Sequence, residues 1–188
     1  MHRTQVLLEP AQHAELAAIA GREQRSLSDL VREMLRLQLE ERRKRSLTTA
    51  AEALLADYRD DPELSAFAAS MPRTSMHRGE VWLINLDPTV GAEIRKTRPA
   101  VIVSDDAIGI LPLRVVVPLT EWKERYAIAP WLVRVEPDGV NDRDKPWAAD
   151  AFQIRSVSQT RFVSYMGQVS AVDLDAIVRA VQVVVGAS

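Results

Sequence analysis

The sequence has no cysteine among its 188 residues. That absence removes disulfide scaffolds, thiolate zinc and iron–sulfur sites, and cysteine nucleophiles, and it favours a cytoplasmic setting over an oxidising one. The chain also has few aromatic residues (5%) and only seven glycines. No apolar run approaches the roughly 20 residues of a membrane helix, and residues 1–5 do not lead into an apolar signal core, so no membrane partner is expected. An overall charge is missing too: 24 Lys and Arg stand against 26 Asp and Glu, a net −2. No global basic field attracts nucleic acid, and any such partner must be met locally. What remains, 47% apolar and 27% charged residues, is the composition of a folded soluble protein of one or two small domains.

The charge is uneven along the chain. Residues 1–45 hold nine basic and seven acidic groups, residues 46–75 hold two and five, and residues 76–188 hold 13 and 14. Helix-forming residues dominate to about Ala69. Then Ser70, Met71 and Pro72 break the pattern, and strand-like alternation follows Met76. The expected division is a domain at 1–45, a tail at 46–70, a linker at 71–75 and a second domain at 76–188. The expected class is α+β.

In the first segment Thr4, Val6 and Leu8 alternate with Arg3, Gln5 and Leu7, the period of a half-buried strand. Pro10 suits the first turn of a helix carrying Leu16, Ala17 and Ile19 on one face, with Gly21 as its stop. Ser26 or Ser28 caps a second helix whose stripe includes Leu27, Leu30, Val31, Met34 and Leu35. One strand and two helices cannot bury that stripe alone, so the segment is expected to dimerise. These residues resemble the ribbon-helix-helix transcription factors, in which two strands of a dimer enter the DNA major groove. The resemblance implies that Arg3, Gln5 and Leu7 touch base edges of operator DNA, and that Arg25 lies near phosphate at the start of the second helix.

The second segment combines apolar anchors at Leu54, Leu55, Tyr58, Leu64 and Phe67 with Glu52, Asp57, Asp60, Asp61 and Glu63. Too poor in core to fold alone, it reads as a flexible acidic tail that orders on a basic groove, its carboxylates standing where a nucleic acid's phosphates would lie. A plain linker with one amphipathic turn is the alternative.

In the third segment strand-like runs fall at 80–86, 99–104, 113–119, 131–135, 151–156 and 161–169, followed by a helix at 173–185. This predicts a compact antiparallel barrel with a C-terminal helix. Between the first two strands Arg95, Lys96 and Arg98 place three cations within four residues, a local patch that attracts phosphate. No histidine follows His77, which excludes paired-histidine acid–base chemistry here. Asp105 with Asp106, or Asp142 with Asp144, are the acidic pairs that metal-dependent chemistry would need, and both pairs sit in turn-like surroundings.

Arg78-Gly79-Glu80-Val81-Trp82, Asp87-Pro88, Gly91-x-Glu93, Arg98-Pro99-Ala100-Val101-Ile102-Val103 and Val117-Pro118-Leu119-Thr120 follow one another in order. Together they closely resemble the MazF/PemK family of toxin endoribonucleases, from Met76 to about Gly186. The resemblance implies an SH3-like, PemK-type barrel that cuts single-stranded RNA within a short sequence, without metal or other cofactor, leaving a 2′,3′-cyclic phosphate and a 5′-hydroxyl. The family's catalytic arginine falls on Arg98 and its catalytic hydroxyl on Thr120. A guanidinium holds a dianionic phosphorane by a bidentate fork, and a hydroxyl donates to a phosphate or leaving oxygen. Arginine is a poor general base, which leaves Glu93 as a candidate base or as the partner that orients Arg95 or Arg98. Arg95, Lys96, Gln153 and Arg155 are candidate RNA contacts. Where many relatives carry Ser and Gln beside the glutamate, this chain has Ala92 and Ile94.

The whole then reads as a MazE-type antitoxin joined to its MazF-type toxin, with the antitoxin tail occupying a toxin groove in cis or in trans and the chains forming homodimers or higher oligomers. The competing reading is a DNA-binding repressor whose barrel is a non-catalytic dimerisation or partner-binding module.

Overall fold

The computed structural model of the chain describes residues 5–60, 76–136 and 145–187. The chain divides into two units, residues 1–47 and 48–188. Leu64 and Phe67, the linker at 71–75, Asp142, Asp144 and Arg3 lie outside the described residues.

The first unit is helical. Helix α1, Pro10–Arg22, begins with the proline inside its first turn, and Glu9 and Gln12 satisfy each other's backbone amides. Helix α2, Leu27–Asp60, begins where the Ser26 hydroxyl accepts from the Asp29 amide at 3.1 Å. The same hydroxyl donates to the Asp29 carboxylate, and that bond, followed by Arg32, holds the Asp29 carboxyl below its ordinary range. Two expectations change here. Gln5 to Glu9 form no strand in the single chain, because a strand needs a neighbouring edge to take its N–H and C=O groups. The second helix does not stop near residue 45 but runs for 34 residues, since no glycine or proline interrupts 27–60 and i,i+4 pairs such as Arg36–Glu40 and Arg45–Glu41 support it. Within the described part of 1–47, only Ala20 and Leu30 are buried, while Leu7, Leu35 and Leu39 are 100%, 55% and 66% exposed.

Residues 48–60 of α2 belong with the second unit, where the Thr48 hydroxyl donates to the Ala107 carbonyl at 3.1 Å and Ala51 is buried. The rest of that unit is an antiparallel sheet with a C-terminal helix. Its strands are β1 Glu80–Asn85, β2 Thr97–Ile102, β3 Leu113–Glu121, β4 Leu132–Val135, β5 Trp147–Asp150, β6 Arg155–Ser158 and β7 Phe162–Gln168. The order is β4-β5-β3-β2-β1-β7, with β6 also pairing β3. Helix α3, Ala171–Val185, is capped by Ser170 at its start and by Gly186, in the left-handed conformation (φ 67°), at its end.

β3 changes neighbours along its length. Residues 113–116 pair with β6 and residues 119–121 pair with β5. Pro118, which has no N–H to give, stands at the changeover. The alternating pattern of β1, β2 and β3 fills two apolar clusters on opposite faces. Val81, Val101, Val117 and Leu119 pack with Ile177 of α3, whereas Trp82, Ile84, Ala100, Ile102 and Val116 pack with Val157 of β6. Each fully buried aliphatic side chain contributes about 1.5–3 kcal/mol relative to exposure.

Candidate active site

The register of β2 against β3 pairs Ala100 with Pro118 and Ile102 with Val116. This ladder ends at Ala100–Pro118: beyond it Arg98 pairs with Ile84 of β1 and shares its face, while Thr120 pairs with Ala148 of β5. That face is the one of Trp82, Ile84 and Ala100, away from α3. Arg155 joins it, because it pairs with Val116. Arg98 and Arg155 therefore project from one face of the sheet, Thr120 lies on the end of β3 beyond Pro118, and each is half-buried.

Arg98 Nε donates to the Arg95 carbonyl at 3.1 Å. Among the described residues no carboxylate lies within ion-pair distance of Arg98, so its Nη groups keep their capacity for an anion. Glu93 is exposed and turned into its own loop, where its carboxylate accepts from the Val90 amide at 3.3 Å. It forms no ion pair with Arg95 or Arg98 among the described residues, so the orienting role is not seen. Arg95 and Lys96 are exposed.

The loop that carries these groups, residues 86–96, is stitched at many points. The Lys96 amide donates to Asp87 Oδ1 at 3.1 Å and the Leu86 amide to the Lys96 carbonyl at 3.2 Å, with Lys96 itself at φ 72°. Ile94 packs on the second apolar cluster, which accounts for an apolar residue there. Gln153 bridges to the loop backbone, its Oε1 accepting from the Ile94 amide at 3.1 Å and its Nε2 donating to the Ala92 carbonyl at 3.3 Å. Arg155 Nη1 reaches the Leu86 carbonyl at 3.5 Å, a marginal contact. Arg161 donates to the carbonyls of Asn85 and Asp87. Sequence reasoning missed Arg161. Its signal is topological: β7 pairs with β1 so that Phe162 meets Ile84, which brings the preceding residue to the end of β1.

Other expected site residues are placed differently. Arg25 is engaged by Glu23 and Glu33, with the Glu33 bond the largest influence raising its already high pKa. Gln5 and Leu7 are exposed and outside any strand. Leu54 is 48% exposed, and Leu55 and Tyr58 are half-buried. Asp105 caps the turn Asp106–Ile108 by accepting from the Ala107 amide, and Asp106 accepts from the Arg78 amide at 2.7 Å. Among the described residues no three acidic or histidine side chains gather as a metal site. Nor is any described helix long and apolar enough to cross a membrane.

An antiparallel sheet closed by a C-terminal helix carries, beside a loop with Arg95 and Lys96, an arginine with no carboxylate within ion-pair distance among the described residues. The chain belongs to the PemK-like, MazF-like toxins of type II toxin-antitoxin systems, whose family pattern matches residues 77–185. It is 35% identical over 105 residues to endoribonuclease MazF9 of Mycobacterium tuberculosis, covering 53% of this chain and 86% of that protein. It is 39% identical over 69 residues to endoribonuclease PemK of Escherichia coli, covering 36% of this chain and 52% of that protein. The crystal structure of MazF from Deinococcus radiodurans shares the fold, with a TM-score of 0.52 at 22% identity over 61% of this chain and 99% of that one.

Proposed function

We propose that residues 76–188 form an endoribonuclease that cleaves single-stranded RNA, with Arg98 and Thr120 acting on the scissile phosphate. The observation that carries this is the family match over residues 77–185, together with an Arg98 whose Nε is held by the Arg95 carbonyl and whose guanidinium no carboxylate neutralises among the described residues. In the reaction the ribose 2′-oxygen loses its proton to a base and attacks phosphorus. The P–O5′ bond breaks, the 5′-oxygen takes a proton, and the products are a 2′,3′-cyclic phosphate and a 5′-hydroxyl. The Arg98 fork stabilises the charge that grows on the non-bridging oxygens, and the Thr120 hydroxyl donates to a non-bridging or leaving oxygen. Glu93 is the candidate base, and Arg95, Lys96 and Arg155 supply charge along the RNA backbone. The test is cleavage of single-stranded RNA in EDTA by the intact chain. Activity that survives unchanged in Arg98→Ala would overturn the assignment.

The helical segment before the sheet domain is proposed as the antitoxin part, pairing with a second copy and binding operator DNA through Arg3, Gln5 and Leu7. Its support is the small buried set in residues 5–47 beside fully exposed Leu7 and largely exposed Leu35 and Leu39, which leaves apolar surface for a second copy to cover. The tail is proposed to restrain the nuclease in cis or in trans. Salt-dependent binding to a palindromic duplex, lost in Arg3→Ala, tests the DNA part. An intact chain that binds DNA and never cleaves RNA would favour the repressor reading instead.

A further inference from the structure

The turn Ala151–Gln153 is anchored on both sides. The Asp150 carboxylate accepts from the Phe152 amide at 3.1 Å, and the Ala151 amide donates to the Trp131 carbonyl at 2.9 Å. From this fixed turn the Gln153 side chain meets a loop about 60 positions away in the chain, at the Ile94 amide (3.1 Å) and the Ala92 carbonyl (3.3 Å). A primary amide carries an acceptor and a donor side by side, so it can bracket two backbone groups as a neighbouring strand would. One residue past Ile94, the Arg95 carbonyl takes Arg98 Nε at 3.1 Å. Arg98 is thus aimed by a backbone carbonyl, and the backbone next to that carbonyl is held by Gln153.

Building on the endoribonuclease reading, we infer that Gln153 is a positioning residue for Arg98 rather than a reader of RNA bases. Its amide holds the backbone at Ala92 and Ile94, the Arg95 carbonyl is held with it, and the guanidinium is set toward the phosphate. A near-attack arrangement is sensitive to displacements of about 1 Å, which can lower a rate by about a hundredfold, so a loosened loop acts on turnover more than on binding. Both polar atoms of the Gln153 amide are engaged with the loop, which leaves one N–H and one lone pair for anything else.

The experiment uses the full chain with Gln153→Ala, Gln153→Glu and the pair Gln153→Ala with Arg98→Ala. Amide hydrogen exchange over residues 90–98 is measured alongside kcat and KM for a single-stranded RNA oligonucleotide in EDTA. In Gln153→Ala the Ile94 amide is expected to exchange faster while amides of β3 and α3 keep their protection. kcat falls about tenfold to a hundredfold with KM within about twofold. Gln153→Glu retains an acceptor for Ile94 but no donor for Ala92, and recovers part of both losses. In the Arg98→Ala background Gln153→Ala adds little, because the two act through one interaction. Unchanged Ile94 exchange in both single variants overturns the proposal. So does a rise in KM at constant kcat that adds fully to the Arg98→Ala loss, the signature of direct RNA contact. If the chain cleaves no RNA either unaltered or with Leu54→Asp and Tyr58→Asp introduced to loosen the restraining tail, the nuclease reading fails together with the role given to Arg98, while the exchange measurement separately decides whether the bracket holds the loop.

Discussion

Arg98 is the cross-strand partner of Ile84, a residue with no exposed surface. The aliphatic stem of the arginine therefore starts from an apolar floor while its Nε meets the Arg95 carbonyl. Lysine at this position would retain charge and lose both the Nε bond and the planar fork. Arg98→Ala is expected to lower RNA cleavage by about a hundredfold to a thousandfold, and Arg98→Lys to recover no more than about a tenth of wild-type activity. Denaturation midpoints close to wild type would show that the loss is chemical. Full activity in the lysine variant would refute the fork.

Thr120 is half-buried at the far end of β3, opposite Ala148 of β5. Thr120→Val preserves the branched shape that suits the strand and deletes only the hydroxyl. Cleavage should fall about tenfold to a hundredfold in the valine variant and stay near wild type in Thr120→Ser. Equal loss in both variants would point to packing instead of donation.

Arg114 has 6% of its surface exposed and donates to the carbonyls of Gly109 (2.7 Å), Leu111 (3.0 Å) and Leu113 (2.8 Å). Burial pushes its pKa down, while the charges of Asp106 and Glu80 oppose that shift. Arg114→Leu strands three carbonyls and should reduce stability by roughly 2–4 kcal/mol. Urea unfolding measures it, and a change below about 0.5 kcal/mol would contradict a structural role.

Burial pushes the Asp150 carboxyl above its ordinary value, against the pull of the backbone amides of Phe152 and Gln153. The native protein then holds this proton at pH values where the unfolded chain has released it. The stability tied to that proton is present in acid and is lost as pH rises through the raised folded value. Asp150→Asn retains an acceptor for the Phe152 amide without the buried charge. Its unfolding midpoint should exceed the wild-type one at pH 7, with the gap closing as the pH falls toward the ordinary aspartate value. A variant less stable than wild type at pH 7 would reverse the assignment.

Much of the sheet domain was legible because its strands are β-branched, alternating runs. Glu80–Asn85 and Leu113–Glu121 are such runs, and the cluster of cations before Pro99 marked the loop. β5 was not legible. Trp147–Asp150 is four residues long with two alanines, and it is a strand only because β3 and β4 flank it on either side. Residues 151–156, expected to be one strand, divide into a turn and β6 once Asp150 caps the turn. The proposed roles of Arg98 and Thr120 come from the family resemblance alone. The tasks of Gln153 and Arg161 depend on partners about 60 to 75 positions distant, which no local pattern encodes. In the helical segment, residues 5–9 form no strand despite their alternation, and the change in charge after residue 45 does not end the helix, which runs on to Asp60.

The handover at Pro118 has a mechanical corollary. The strand segment bearing Thr120 leans on β5, whereas the segment leading up to it leans on β6, which begins with Arg155. Substitutions that reshape β6 are not transmitted to the hydroxyl through a shared ladder of backbone bonds. Loosening β6 would leave the backbone pairing of Thr120 with Ala148 in place.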